Sequence, residues 1–429
     1  MPGPFRPGVR DLAIVLAASW VARLVFVAVI GDAHSVDVDY WQGALEVLDE
    51  GRNPYETGVL NWPPLWLEVI VGLDAAADVT SISFWSALRI YLVLVESALV
   101  VALYLTLVAV GAPRETVRRA LLLGIALNPV PIILVCQHGN SDVNVGLLVT
   151  LALAALLAHQ RSRDIVFWLG GCLLLGVGVL AKTVPLVLAP VLAPGARLAS
   201  PAGKVLGATL FLGPAALGLS VIAALVPREV LEHVIRYRST RGFFGLSGIL
   251  EELTRFDARS LYARVFTIAV LVTVVWLWRR LSREEPLAPE RLFLLVAVVL
   301  LAIVAFGPGY GPQYAYWFLP ALVATYVLLD DAWRRLLLIG WVVAGLTYAL
   351  EYAFVPWLGW YANEIADRPD WVTDFSEYLD TPHRLVLFRL PLFFVYLLLI
   401  YEGIARLTER RQLASPQAGG ATDRVVARS

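Results

Sequence analysis

Residues 88–110 read LRIYLVLVESALVVALYLTLVAV. The run is almost wholly apolar and exceeds the ~20 residues that a helix needs to cross the hydrocarbon core of a bilayer. Comparable runs recur at 11–30, 117–135, 143–158, 165–181, 184–194, 205–226, 261–280, 292–306, 314–329, 336–355 and 385–401. Of the 429 residues, 59% are hydrophobic and only 16% charged, and the mean hydropathy is +0.71. Soluble domains carry nearer a quarter of charged residues. The expectation is an all-α polytopic membrane protein, a bundle of about twelve transmembrane helices. The weakest segment, 184–194, holds Pro185, Pro190 and Pro194 and is expected to be a partial or re-entrant span, covered by protein or water. The first run is read as a retained helix, because no small-residue cleavage site follows it.

Positive charge sets the sidedness. With the N-terminus in the cytoplasm, the short loops bearing Arg114, Arg118 and Arg119, then Arg161 and Arg163, then Arg197 and Lys204, fall inside. So do Arg279, Arg280 and Arg283, then Arg334 and Arg335, and a tail at 407–429 expected to be disordered. Residues 1–406 read as one membrane domain. Its first outer loop, 31–87, carries ten acidic residues and one arginine and is expected to hold short interfacial helices. Two further outer loops fall at 227–260 and 357–383. The 227–260 loop defies the rule with Arg228, Arg236, Arg238, Arg241, Arg255 and Arg259. Long loops escape the charge rule, and an outward anion site is the other reading. Cys136 and Cys172 lie in apolar stretches and read as small buried hydrophobes. No basic stripe points to nucleic acid.

Unusual residues gather on the outer side. Asp37 and Asp39 follow the first span. "NWPPLW" (61–66) reads as a rigid turn in which two prolines hinder helix formation, with Trp62 and Trp66 suited to the membrane interface. "CQHGNSDVN" (136–144) sets Gln137, His138, Asn140, Ser141 and Asp142 between apolar runs, and Asp142 suits a helix N-cap. Lys182, one of two lysines, lies at membrane depth, where an ionisable group marks function unless it snorkels to the surface. "GPGYGPQYAYWFLP" (307–320) breaks the chain before Gln313, Tyr314 and Tyr316, although Tyr316 and Trp317 would also suit an aromatic belt. Carboxylates beside cations fit acid–base chemistry next to an anion, most simply a phosphorylated lipid.

The order of these motifs resembles the GT-C superfamily of integral-membrane glycosyltransferases: Asp-x-Asp, Asn-Pro-Tyr with Pro-Pro-Leu, His-Gly-x-x-Asp, Lys-x-x-Pro-Leu, and Pro-Gln-Tyr…Trp…Leu-Pro. "VDVDYW…EGRNPYE…NWPPL" is most similar to the catalytic subunit of glycosylphosphatidylinositol mannosyltransferase I and its prokaryotic relatives. The resemblance runs from about residue 11 to residue 330. It implies inverting transfer of a hexose, mannose first, from a polyprenyl-phosphate donor to a lipid-linked or cell-envelope glycan at the outer face of the cell membrane. Asp37 or Asp39 takes the role of general base. Lys182 and the Arg236, Arg238 and Arg241 group compensate the leaving phosphate. His138 and Asp142 bind sugar or phosphate, and Gln313 and Tyr314 line the pocket. No metal or other cofactor is expected, since a lipid monophosphate has little charge to neutralise. The competing readings are a transporter or flippase for a lipid-linked glycan, and a non-catalytic subunit of a membrane complex. Transporters often show repeated halves with a midplane site. No repeat is visible here, and the unusual residues cluster at one face.

Overall fold

The computed structural model describes residues 8–57, 60, 62–225, 228, 245–254, 259–284, 286–309, 311–358, 369–379 and 388–409. Among them every element is helical, and eight helices are long and apolar enough to cross a bilayer, or nine with one bent pair counted as a span. The chain is thus an α-helical protein of the membrane type.

α1 (Val9–Ile30) ends at Gly31, whose φ of 60° turns the backbone out of the helix. The first loop holds two helices, α2 (Val36–Asp49) and α3 (Pro64–Thr80). Pro64 does not hinder helix formation. It occupies the first turn of α3, where its missing N–H costs nothing. α4 (Phe84–Ala109) is half buried. α5 (Arg114–Leu121) runs through a π-turn to Ala126, and α6 (Pro129–Ile133) through another to His138. The two halves meet at 46°, at the prolines that interrupt the run.

α7 (Asp142–Ser162) packs on α8 (Ile165–Ala181). The proline-bearing stretch at 184–194 forms a 3₁₀ helix, Val184–Leu192, that leads into the short α9 (Ala193–Leu198). α10 (Pro201–Leu225) returns against α8. Gly176 makes this approach possible, because a Cβ there would stand 2.5 Å from the Leu210 carbonyl oxygen. Small residues at such crossings let membrane helices gain packing contact. α11 (Leu246–Thr254), α12 (Arg259–Leu281), α13 (Pro289–Phe306) and the buried α14 (Ala315–Leu328) follow. α15 (Asp331–Ala349) continues through a π-turn, Leu350–Phe354. α16 (Asp370–Tyr378) and α17 (Leu390–Thr408) complete the described elements.

α4, α7, α13 and α14 form the centre, whereas α1, α10 and α12 leave most of their apolar surface open, as lipid-facing helices do. Lipid tails supply no hydrophobic drive for helix association, so packing and buried polar contacts must hold the centre. One such contact joins three helices. Arg23 of α1 pairs with Glu96 of α4, its Nη2 2.6 Å from Oε1, and the Tyr316 hydroxyl of α14 donates to the same carboxylate.

Candidate functional site

The described site begins where α1 hands over to α2. Ser35 N–H donates to the Gln137 carbonyl at 3.1 Å, and its hydroxyl donates to the His138 carbonyl at 2.7 Å. Arg89 of α4 crosses the same seam, donating to the carbonyls of Cys136 at 2.8 Å and Ala33 at 3.1 Å. These bonds fasten the start of α2 to the turn between α6 and α7. Gly139 makes the turn close enough. Its φ is 72°, and a Cβ would stand 2.5 Å from the Trp85 ring.

The seam brings Asp37 to His138 and Asn140. His138 Nε2 lies 3.2 Å from Asp37 Oδ2, and Asn140 Nδ2 donates to the same oxygen at 2.8 Å. The Tyr352 hydroxyl lies 2.7 Å from His138 Nδ1. All three groups are satisfied when Tyr352 donates to Nδ1 and the Nε2 proton points at Asp37. Burial alone would raise the affinity of Asp37 for a proton. The hydrogen bonds from His138 and Asn140, with the positive charge of Lys182, outweigh it and hold the carboxyl below its ordinary value. Asp39 points elsewhere. Its carboxylate is 58% exposed and meets His34 Nε2 at 2.9 Å. Partial burial would make the His34 ring less basic, but its contacts with the Asp32 carbonyl and Asp39 more than offset that and make it more basic than usual.

A second pair stands beside the first. Asp142 is the first residue of α7, one place past the N-cap position, which Ser141 holds. Its carboxylate is therefore free of capping. Oδ1 lies 3.2 Å from Lys182 Nζ and accepts the Trp317 indole N–H at 2.9 Å. Oδ2 is buried with no partner among the described residues. Lys182 Nζ sits 4.7 Å from the Tyr314 ring centroid and faces Trp317 and Trp62 at 5.7 and 5.9 Å. Tyr314 and Trp317 stack with centroids 4.1 Å apart. Lys182 is thus no snorkelling anchor: its ammonium is held between a carboxylate and aromatic faces. Trp62 and Trp66 are not interface anchors either. Both are buried against Trp41 of α2, with centroids 5.6 and 5.0 Å away. Tyr316 and Trp317 likewise bind Glu96 and Asp142 and form no aromatic belt.

The structure therefore gathers Asp37, His138, Asp142, Lys182 and Tyr314 at one end of the bundle. Gln313 precedes Tyr314, and its Oε1 is buried without a partner among the described residues. Arg236, Arg238 and Arg241 lie outside the described residues, as does most of the 407–429 tail. Asn140, Trp317 and Tyr352 are partners that sequence reasoning did not assign to the site: Asn140 had no role of its own, and Trp317 was expected at most in an aromatic belt. Asn140 and Trp317 stand inside the singled-out stretches, whereas Tyr352 carries no local signal. Cys136 and Cys172 are free and buried. Among the described residues no three His, Cys, Asp or Glu side chains converge as metal ligands. No protein-family model matches the chain, and no curated protein matches it.

Proposed function

We propose that the protein is a membrane glycosyltransferase that moves a hexose, mannose first, from a polyprenyl-phosphate donor to a lipid-linked or envelope glycan acceptor. The observation that carries this reading is the pairing of a held, ionised carboxylate with an ammonium in one cluster: Asp37 on His138 and Asn140, and Lys182 on Asp142. Asp37 accepts the proton of the acceptor hydroxyl as its oxygen bonds to the anomeric carbon. The bond from that carbon to the phosphate oxygen breaks, and polyprenyl phosphate departs as an anion. Attack from the face opposite the leaving group inverts the centre. A carboxylate kept ionised suits this step, because the hydroxyl becomes acidic only as attack proceeds. Lys182 compensates the leaving charge, and the Tyr314 and Trp317 rings offer apolar faces to the sugar.

A lipid donor also needs a seat for its chain. An apolar groove of about 580 Å³ lies between α12, α13 and α17. One end is at Phe306, which leads through residues 307–313 to Tyr314. The other is at Arg280 and Arg291. In this reading twelve crossings comprise the eight long helices, the bent pair, α8, the Val184–Leu198 pair and α14. The cluster then opens at the outer face of the cell membrane, with both termini inside.

The test is transfer of radiolabelled mannose from synthetic polyprenyl-phosphate-mannose to extracted native lipids, in membranes carrying wild type, Asp37→Asn or Asp39→Asn, with and without EDTA. The expected result is activity in wild type and in Asp39→Asn, and a loss of about 10²-fold or more in Asp37→Asn. Equal activity in all three sinks the catalytic assignment. No transfer by wild type from mannose, glucose or arabinose donors moves the weight to lipid-glycan transport.

A further inference from the structure

At the opposite end of the bundle, the end of α7, the start of α8 and the junction of α9 with α10 line a second cavity, open to its surroundings. It measures about 560 Å³ and is lined by His159, Arg163, Ile165, Arg197, Leu198, Ala199 and Ser200. The 21 residues of α7 separate it from Asp142, which at ~1.5 Å per residue is about 30 Å, the thickness of a bilayer core.

Two arginines from different elements reach this cavity, and no described carboxylate pairs with Arg163. Asp164, next in the sequence, caps α8 through Oδ1, which accepts Val166 N–H at 3.0 Å. His159 is only 4% exposed. Its Nδ1 lies 2.8 Å from the Asp164 carbonyl, which can only accept, so Nδ1 carries the proton. Nε2, on the other edge of the ring, is buried with no partner among the described residues. A buried ring nitrogen beside two guanidinium groups, in a cavity this size, is an unfilled hydrogen-bonding position. Ser200 stands directly before Pro201, so the positive end of the 25-residue α10 dipole adds to the same field. Arg163 caps α7 with φ 61°, a left-handed conformation that favours glycine. A glycine would fit that backbone better than the arginine found there.

We infer that this cavity is an anion site, separate from the Asp37 cluster, that binds a phosphate group. Arg163 and Arg197 offer charge-assisted hydrogen bonds to the phosphate oxygens, and His159 Nε2, an acceptor in this tautomer, takes a hydrogen bond from a hydroxyl of the phosphate-bearing ligand. The same chemistry arises from an inner-leaflet phospholipid headgroup or from a soluble phosphate ester. The site does not depend on the proposed sugar transfer, and the failure of either leaves the other standing.

The experiment uses the full chain in phosphatidylcholine nanodiscs. One arm adds phosphatidylglycerol and counts retained lipid by native mass spectrometry. The other titrates inorganic phosphate and glycerol 3-phosphate and reads the melting temperature. Wild type is expected to retain the anionic lipid or to saturate with phosphate. Arg163→Gly and Arg197→Gln weaken that binding by about tenfold or more, whereas Arg335→Gln, outside the cavity, leaves it unchanged. Arg163→Gly relaxes a left-handed residue, so it loses binding while its melting temperature without ligand holds or rises. Binding in the lipid arm alone assigns a headgroup, and binding in the soluble arm assigns a phosphate ester. No binding in either arm, unchanged binding in both cavity variants, or an equal loss in Arg335→Gln overturns the inference.

Discussion

Two aspartates two residues apart on a helix point about 200° away from one another. That angle explains why Asp37 turns to His138 and Asn140 while Asp39 faces outward to His34. The pair therefore cannot act as one chelating motif while α2 stays helical, and the two substitutions should separate. The Asp37 environment also sets a pH signature. Its carboxyl lies below the ordinary value of 3.8, because its partners overcome the effect of burial. Removing His138 deletes the largest of the lowering contributions and leaves burial, which raises the proton affinity. His138→Ala should thus move the acid limb of kcat/KM to higher pH, and Asn140→Ala should do the same to a smaller degree. A pH–rate profile of both variants checks the order. An unmoved acid limb in His138→Ala would remove Asp37 from the role of base.

At the scale of elements, the turn between α6 and α7 depends on one glycine. Gly139→Ala puts a Cβ into the Trp85 ring on a left-handed backbone, and should cost roughly 1–3 kcal/mol, read as a lowered melting temperature in detergent. The bend before α6 shows how a membrane helix breaks without orphaning its backbone. Pro129 has no N–H for the Ile125 carbonyl, and Val130 N–H is diverted to the Asn128 side chain at 3.0 Å, leaving the Ala126 carbonyl. Arg23 donates to both, at 3.3 and 3.0 Å. The proline pair and the buried arginine, about a hundred residues apart, are one device.

Across the whole molecule, that arginine is balanced by Glu96. Glu96→Gln leaves a buried guanidinium without its counter-charge and should destabilise the bundle by about 3–5 kcal/mol, seen in thermal unfolding. The double variant Arg23→Leu with Glu96→Leu should lose less than the sum of the two single variants, because it leaves no unpaired charge. Sidedness belongs to the same scale. Both native cysteines are buried, so introduced ones report cleanly. A membrane-impermeant maleimide should label Asp39→Cys in intact cells and Arg335→Cys only after permeabilisation. The reverse pattern would put the Asp37 cluster on the cytoplasmic side and exclude an outer-face reaction.

The sequence by itself determined the class of the molecule and the position of its long apolar helices. Crossing a bilayer is a local demand for a long apolar run, and residues such as 88–110 meet it without help from the rest of the chain. Polar residues that interrupt such runs are also local, which is why Asp37, His138, Asp142, Lys182 and Tyr314 were legible as candidates. Their partners were not. His138 lies 101 residues from Asp37 and Tyr352 lies 214 from His138. No periodicity reports a contact over such distances. Asp142 looked like a cap because its sequence position fits one, but the cap fell one residue earlier and left the carboxylate for Lys182 and Trp317. Trp62 and Trp66 suited an interface by composition, yet α2 and α3 fold their rings inward. Arg23 and Glu96 lie 73 residues apart in two apolar runs, and only the packing of three helices brings them together. Tertiary structure decided these points because a side chain's partner is set by which helices pack together, and only the folded bundle fixes that.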